Sequence, residues 1–399
     1  MIQHQLPRGF MAGAFPGGIK KEGSDIAVLY STHGAVSAGV FTNNRVRAAC
    51  IDWNSERIGR TVRAVIINSG NANACTGYRG IQDSEKIAAA AAEKYGVEKD
   101  EVLLASTGVI GVPLPVDSMC SAISVSSPLH DSPTALHEAA RAIMTTDTVE
   151  KVASYEFHAE GRTVRILGMA KGSGMIHPNM ATMLGFILTN VAIDPPLLQH
   201  LLHNAAEESF NMISVDGDTS TNDMVLALAN GTSGVEVMTP DSQACKEFKQ
   251  GLRTVSRELA IAIARDGEGA TKLIEARVEG ASSVENARKL ARSVVSSNLV
   301  KSAMFGEDAN WGRVLAAMGY SGGKFNPHNV DIIFSSIGGD ILLMQKGVPV
   351  DFDEAAARTV LTEKEIVITM KLSEGSGSAT AWGCDLTYDY VRINGSYRT

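Results

Sequence analysis

The residues of this chain that are best suited to chemistry surround a small-residue junction, Ala181-Thr182, eleven residues beyond Lys171. The junction belongs to a glycine-rich, proline-containing run, residues 171–184, and apolar sequence follows it at once. A threonine hydroxyl is a poor nucleophile unless a base lies beside it. The threonine's own amino group becomes such a base when the preceding peptide bond is cut, because a free α-amino group titrates near ~7.7–8.0. The pattern therefore raises the hypothesis of a self-cleaving protein with an N-terminal nucleophile.

The same residues also have a purely structural interpretation. Glycines followed by an apolar run are typical of a loop that enters a buried strand. Residue types alone favour this structural interpretation, and the rest of the chain is needed to decide between the two.

Composition and charge limit the class of protein. At 399 residues, the chain is long enough for one large domain or two, since domains commonly run to ~100–200 residues. A formal charge of −8, without a lysine or arginine cluster, lacks the basic footprint of a nucleic-acid-binding protein. The expected partners are small molecules or other copies of the chain.

Cysteine and histidine usage predicts neither disulfides nor a metal site. The five cysteines lie far apart without a CxxC motif, which fits reduced thiols in the cytoplasm. No HExxH occurs, and the pair His200 and His203 is interpreted as the surface of a helix.

The start of the chain lacks the pattern of a signal peptide, and Pro178 with its polar neighbours interrupts the uncharged run 172–193. We therefore expect a soluble, cytoplasmic protein.

The pattern of elements predicts layered α/β packing. Short β-type runs dominate the first half, with a helix from Asp83 or Ser84 to Gly96 and loops at 68–77 and 106–111. The second half alternates strands and helices, including a long helix near 241–265, and is predicted to be mostly strand towards its end.

Three familiar motifs are excluded as functional. No apolar strand runs into GxGxxG, and GxxxxGK[ST] is absent, so a dinucleotide or P-loop site is not predicted. Residues 319–323 match G-x-S-x-G, but a predicted helix runs into Gly319, which favours a helix-ending turn over a nucleophile elbow.

The motifs in combination resemble one family. Residues 171–184 are similar to the self-cleavage signature of the glutamate N-acetyltransferase (ornithine acetyltransferase) family of arginine biosynthesis. The resemblance extends over essentially the whole chain, in the family's order. Further similar segments are 106–111, 145–148, 216–223, 266–271, 308–313 and 391–399.

The resemblance implies a self-cleaving acetyltransferase. The family's precursor is cut before the position of Thr182, so Ala181 and Thr182 flank the cleavage site. Thr182 then serves as nucleophile, accepting acetyl from N2-acetyl-L-ornithine and passing it to L-glutamate in a ping-pong reaction. No cofactor is implied, but some family members also use acetyl-CoA, and no sequence feature here decides whether it is a co-substrate.

The resemblance also implies the other site residues. Thr107 and Gly108 match the family's oxyanion pair, a hydroxyl and an exposed backbone N–H. The implied substrate-binding residues are Thr145, Lys171, Thr182, Glu268, Asn394 and Thr399. We expect the Lys171 ammonium to bind a substrate carboxylate and the Glu268 carboxylate to bind the ornithine amine.

The implied architecture is an α/β (α+β) fold, a layered α-β-β-α sandwich of the DmpA and ornithine acetyltransferase type with a smaller second α/β domain. The chain divides into an α fragment, 1–181, and a β fragment, 182–399, with a smaller subdomain near 280–350. The fragments are expected to associate as α2β2, without nucleic acid or membrane.

Two alternatives remain open at this point. One is an N-terminal-nucleophile amidase or aminopeptidase of similar fold, which transfers acyl groups to water. The other is a non-catalytic or serine-dependent protein in which Ala181-Thr182 stays uncut.

Overall fold

Strands and helices are interspersed along the chain, with runs of consecutive strands such as β5 to β8 and of consecutive helices such as α7 to α9. The computed structural model describes residues 4–177, 183–237 and 239–396. The strands are β1 (Phe10–Phe15), β2 (Ile26–Phe41), β3 (Thr61–Asn71), β4 (Val102–Val109), β5 (Lys151–Ala159), β6 (Arg162–Lys171), β7 (Leu184–Thr189), β8 (Ala192–Ile193), β9 (Ile213–Ser214), β10 (Met224–Ala229), β11 (Glu236–Val237), β12 (Leu273–Ala281), β13 (Asp331–Ser336), β14 (Gly339–Gln345), β15 (Val348–Pro349), β16 (Glu365–Lys371) and β17 (Gly377–Cys384). The helices are α1 (Ala49–Ser55), α2 (Gly77–Tyr95), α3 (Val116–Val125), α4 (Pro133–Ala142), α5 (Pro195–Glu208), α6 (Gln243–Arg265), α7 (Val284–Ser296), α8 (Asn298–Phe305), α9 (Trp311–Gly319), α10 (Glu354–Leu361) and α11 (Tyr388–Ser396).

Strands β7 and β10 pair in parallel inside the larger sheet, in the order β4-β3-β2-β10-β7-β6-β5, and are buried along their whole length. A strand covered on both faces reads as a continuous apolar run, as these two do. In β10, Val225 and Ala227 belong to one core cluster, and Leu226 and Leu228 belong to another. This alternation follows from the two-residue period of a strand, so the sheet separates two hydrophobic cores.

Strand β2 joins two halves of the larger sheet. Its first part pairs with β1 and β3, whereas residues 36–41 pair with β10. The pairing with β3 shifts register between Tyr30 and Ala35, and a bulge of this kind bends a strand. Val65 of β3 and Phe186 of β7 belong to one core cluster, so the two halves form two facing layers.

Helices cover the outer faces of these two layers. Helices α1 and α2 pack on β4, and α4 packs on β1 and β2. On the other side, α5 packs on β2, while α6 packs on β5 and β6. The predicted α/β class, with two sheet layers between helical layers, is confirmed.

The smaller sheet has the order β15-β14-β13-β16-β12-β17-β9, and α7 covers β12 and β17. Residues 280–350, the expected smaller subdomain, contribute part of this unit, while β12, β16 and β17 complete its sheet. Its bounds and the fragment division stay predictions, because the junction at 181/182 lies outside the described residues.

Several predicted ends of elements agree with the structure. Gly96 follows α2 in the left-handed conformation, with φ of 63°. The long helix is α6, preceded by Ser242, whose side chain accepts a hydrogen bond from the Cys245 N–H. Gly319 is the last residue of α9, and the turn after it leads to neither a strand nor a helix at Ser321. The structure therefore agrees with a helix-ending turn at G-x-S-x-G.

Four predicted elements differ from the structure at one end. Helix α2 begins at Gly77, well before Asp83, because Asn73 at its entry donates a side-chain hydrogen bond to the Gly80 carbonyl. The expected loops at 68–77 and 106–111 begin as strand, since β3 and β4 continue to Asn71 and Val109. The last described residues, up to 396, form helix α11 rather than a strand. The ends of β3 and β4 pair through small polar residues, and a search for hydrophobic periodicity does not detect strands of that composition.

A buried amide fixes the position of β4, an edge strand of the larger sheet. The Asn54 side chain in α1 accepts from the Leu104 N–H at 2.9 Å and donates to the Leu104 carbonyl at 2.7 Å. The Asn54 amide thereby makes the two hydrogen bonds to Leu104 that a neighbouring strand would otherwise make. Strand β4 carries two of the predicted site residues, so this contact contributes to the geometry of the site.

Candidate active site

A cavity of about 130 Å³ lies where β4 and β6 end and β7 and β10 begin. Its lining includes every predicted site residue that the structure describes: Thr107, Gly108, Thr145, Lys171, Glu268 and Asn394. These residues come from both predicted fragments and from five separate elements or loops of the fold. The structure therefore gathers residues that the sequence alone could only assign one by one.

Three predicted residues, Ala181, Thr182 and Thr399, lie outside the described residues. Met183, which is covalently bonded to residue 182, lines the cavity. Its carbonyl accepts a hydrogen bond from the Met224 N–H at 2.9 Å, at the start of β10. The chain that follows the predicted nucleophile is thus anchored in the wall of this cavity.

Gly108 has a structural requirement that is separate from any catalytic role. Its φ is +132°, in the region that favours glycine, and a Cβ there would lie 2.2 Å from the carbonyl carbon of Gly70. The two glycines face each other across the paired strands β3 and β4. Thr107 and Gly108 therefore lie in a strand end, not in the loop that the sequence predicted.

Lys171 is the last residue of β6 and is nearly buried, with 8% of its side chain exposed. Its Nζ donates a hydrogen bond to the Thr145 hydroxyl at 2.8 Å and lies 3.5 Å from the Thr107 hydroxyl. A carboxylate oxygen of Asp147 lies 3.8 Å from the same Nζ. Lys171 thus connects the candidate oxyanion residue with a candidate substrate-binding residue.

A fully buried carboxylate, Asp147, organises this side of the site. It accepts hydrogen bonds from the Gly172 N–H at 2.6 Å, the Thr145 N–H at 3.0 Å and the Lys151 ammonium at 2.8 Å. Burial opposes its ionisation, but Lys171 and Lys151 outweigh burial and hold the pKa of Asp147 well below its ordinary value. Asp147 therefore stays charged at neutral pH.

Lys151 extends this network to the loop after α6. Its Nζ also lies 2.6 Å from a carboxylate oxygen of Asp266, whose other partners are the backbone N–H and hydroxyl of Thr148. The Asp266 carbonyl accepts from the Ser173 hydroxyl at 2.7 Å. Sequence reasoning missed this network; the only signal was the i,i+4 spacing of Asp147 and Lys151.

Glu268 lies in that same loop and is 8% exposed. Its carboxylate accepts a hydrogen bond from the Asn394 side chain in α11 at 2.7 Å, and its N–H donates to the Ser173 carbonyl at 3.0 Å. A Cβ on Gly174 would meet the Glu268 carboxyl atoms at 2.3–2.4 Å. The absence of a side chain at Gly174 therefore leaves room for the Glu268 carboxylate.

Carboxylates outnumber ammonium groups in the lining. Asp216, Asp218, Asp223 and Glu268 line the cavity together with one ammonium, that of Lys171, among the described residues. Burial, together with the nearby Asp216 and Glu268 carboxylates, raises the pKa of the Tyr390 phenol well above its usual range. A cavity with these charges suits a ligand that carries both an amine and a carboxylate.

Two further findings concern metals and membranes. Within 4–177, 183–237 and 239–396, no group of three or more histidine, cysteine, aspartate or glutamate side chains could hold a metal ion. No helix in these ranges is long and apolar enough to cross a bilayer.

Comparison with known proteins identifies the family. The model of the ArgJ family matches residues 11–399. The chain belongs to the ArgJ family. It is 54% identical to the arginine biosynthesis bifunctional protein ArgJ of Symbiobacterium thermophilum, over 98% of each chain. It is 48% identical to the glutamate N-acetyltransferase of Methanopyrus kandleri, over 99% of this chain and 100% of the relative.

A solved structure of the family has the same fold. A chain of the crystal structure of arginine biosynthesis bifunctional protein ArgJ from Bacillus halodurans is 46% identical, with a TM-score of 0.52. The match covers 54% of this chain and 100% of that chain. The predicted family, its acetyltransferase class and the α/β fold are thereby confirmed, and the roles of individual residues stay predictions.

Removing Lys151 tests the buried network. We expect Lys151→Met to lower the free energy of unfolding by ~3–5 kcal/mol, because it leaves the buried Asp266 carboxylate without its ammonium partner. Denaturant unfolding measures this change. Lys289→Met, which removes a surface ion pair with Glu285, is the matched control and should leave the unfolding midpoint unchanged. Equal unfolding midpoints for Lys151→Met and Lys289→Met would contradict a stabilising role for the buried Lys151 ammonium.

Filling the space at Gly174 tests the position of Glu268. We expect Gly174→Ala to displace the carboxylate from Asn394 and to raise KM for the acetyl donor on the order of tenfold, as Glu268→Gln should. The displaced atoms end a flexible side chain, so stability should change little. Gly319→Ala, which meets nothing within 4 Å, is the control for steady-state kinetics and thermal unfolding. A wild-type KM in Gly174→Ala would remove Glu268 from donor binding.

Proposed function

We propose that this protein is a self-cleaving acetyltransferase that moves acetyl from N2-acetyl-L-ornithine to L-glutamate through an acetyl-Thr182 intermediate. The products are L-ornithine and N-acetyl-L-glutamate, in the cyclic arginine pathway. The observation that carries the proposal is the single cavity that gathers the candidate oxyanion and substrate-binding residues beside Met183, the neighbour of Thr182. Membership of the ArgJ family supports the reaction.

Self-cleavage is the first step of the proposed mechanism. The Thr182 hydroxyl attacks the Ala181 carbonyl, the C–N bond breaks, and water opens the resulting ester. A small residue at position 181 leaves room for this attack. The fully matched chain of the Bacillus halodurans structure supports cleavage, because it corresponds to 54% of this chain, close to the share that 182–399 makes up.

The fragments would stay together after cleavage because strand pairing crosses the junction. Strand β7 pairs with β6, and β10 pairs with β2, so each fragment supplies strands to the same sheet. These strands are central and buried, and separating them would expose both cores. This interlocking supports a stable αβ unit, and we propose that two such units form α2β2.

Acetyl transfer follows with Thr182 as nucleophile and its new amino group as base. The hydroxyl attacks the acetyl carbonyl of acetylornithine, ornithine leaves with a proton, and an acetyl ester remains. Glutamate then attacks the ester through its amine. Each tetrahedral intermediate needs donors for its oxygen, which we assign to the Thr107 hydroxyl and the Gly108 N–H, each worth ~2.7–4 kcal/mol in favourable sites.

Charge in the cavity accounts for the choice of amino-acid substrates. We assign the Lys171 ammonium to a substrate carboxylate and the Glu268 carboxylate to the ornithine amine. Asn394 orients Glu268 through its hydrogen bond, and Thr145 orients Lys171. Thr399, the remaining substrate contact in the proposal, lies outside the described residues.

No cofactor enters this mechanism, because the acetyl ester forms on the protein itself. We propose that the protein works in the cytoplasm on small molecules, without nucleic acid or membrane. Acetyl-CoA is a second donor to be tested, by comparing acetylation of glutamate from acetyl-CoA with that from acetylornithine. In the amidase alternative, water rather than glutamate accepts the acyl group. Measuring the release of acetate from acetylornithine in the absence of glutamate tests that alternative.

Variants at Thr182 test the proposal. We expect the purified wild type to contain two chains that meet at Thr182, and Thr182→Ala to be uncut and inactive because it lacks the hydroxyl. Thr182→Ser keeps a hydroxyl and should retain part of both reactions. Intact mass and acetyl transfer to glutamate are the two measurements. A single uncut wild-type chain with full activity would refute the proposal.

A further inference from the structure

The segment that leads into the proposed cleavage site is held by one loop of the other fragment. Residues 175–177 are the last described residues before position 183, and the loop 214–219 contacts them along their length. The Val215 N–H donates to the Ile176 carbonyl at 2.6 Å, and the Thr219 hydroxyl donates to the His177 carbonyl at 3.0 Å. These contacts involve backbone atoms of the segment, so they restrain the direction of the chain.

Asp216 makes the strongest contacts in this loop. Its carboxylate accepts hydrogen bonds from two successive backbone N–H groups, that of Met175 at 2.6 Å and that of Ile176 at 2.9 Å. Met175 has a φ of 55°, in the left-handed region. In this conformation the N–H groups of Met175 and Ile176 both point at the Asp216 carboxylate. Charge-assisted bonds of this kind are about twice as strong as neutral ones. A non-glycine residue is thereby stabilised in an unfavourable backbone conformation.

Asp216 is oriented from two further directions. One of its oxygens accepts a hydrogen bond from the Asp218 N–H at 3.1 Å within its own loop, and the Tyr390 phenol of α11 lies close to the carboxylate. The charged and titratable groups around it are Asp218 of its own loop, Tyr390 of α11 and the Cys384 thiol of β17, and Glu268 on the loop after α6 lies beside Tyr390. Groups outside the segment therefore also help to fix the orientation of the carboxylate.

We propose that Asp216 and Thr219, which together we call the clamp, are positioning residues for self-cleavage: they fix the backbone of 175–177 and so direct the chain towards the Thr182 hydroxyl. This inference rests on the proposed self-cleavage and adds residues to it. Attack within a chain depends on bringing the reacting atoms to ~3–3.5 Å in a productive orientation. The clamp restricts the chain four residues before the bond that breaks, and it takes no part in the bond changes.

The pH dependence of cleavage distinguishes this role from a merely structural one. Burial raises the pKa of Asp216 above its ordinary value, although backbone N–H groups oppose that shift. The clamp needs the carboxylate form, so cleavage should slow as the pH falls through this raised pKa. A variant without the carboxylate should cleave slowly and lack this decline.

The experiment follows cleavage of full-length chains during cell-free synthesis at a series of pH values, with intact mass as the readout. We expect Asp216→Asn to cleave on the order of tenfold to a hundredfold more slowly than the wild type, since its amide replaces one charged acceptor by a donor. Asp351→Asn, the matched control, removes an exposed carboxylate that does not line the cavity and should cleave at the wild-type rate. Thr219→Val should slow cleavage by a smaller factor.

The outcomes separate this inference from the proposed function. If the wild-type chain is never cut, the proposed function fails. If the wild type is cut and folded Asp216→Asn is cut at the same rate, the clamp alone is refuted. Should Asp216→Asn not fold, as judged by thermal unfolding, Thr219→Val decides, and a wild-type rate there overturns the clamp. If the cleavage rate of Asp216→Asn still falls at acidic pH as the wild-type rate does, the clamp is refuted as well.

Discussion

Antiparallel pairing of β6 with β7 is the constraint on which the rest of the structure depends. It places Lys171 opposite Leu184. The end of β6 and the start of β7 therefore lie side by side in one wall of the cavity. Parallel pairing of β7 with β10 then brings the residues before Met224 to that wall. Because both faces of β7 and β10 are buried, a register shift would expose a core, and the apolar sequence therefore fixes the geometry of the site.

The buried charges add a second layer of positioning. Asp147 binds the backbone just after Lys171 as well as two ammonium groups, and Lys151 carries the connection to Asp266 and hence to the loop of Glu268. Such a network contributes little net stability but permits few arrangements of the groups around it. The polar residues of the cavity are thus held by strand ends on one side and by buried ion pairs on the other.

The sequence was sufficient for the family and the α/β class, because these depend on motifs and apolar runs. It was insufficient where long-range contacts decide. Strand β4 continues through Thr107 because Gly70 meets Gly108 across the sheet, and α11 forms where the composition predicted strand. Asp147 and Asp216 lay inside recognised segments, yet their roles depend on distant partners, Asp147 on the backbone of Gly172 and Asp216 on that of Met175 and Ile176.

The central claim is that residue 182 becomes an N-terminal threonine that carries the acetyl group. Mass spectrometry of the protein after incubation with N2-acetyl-L-ornithine alone tests it most directly. The account predicts that the fragment beginning at residue 182 becomes one acetyl group heavier, that the group maps to Thr182, and that L-glutamate removes it. Acetyl on another residue, or full transfer activity without any acetylated protein, would contradict it.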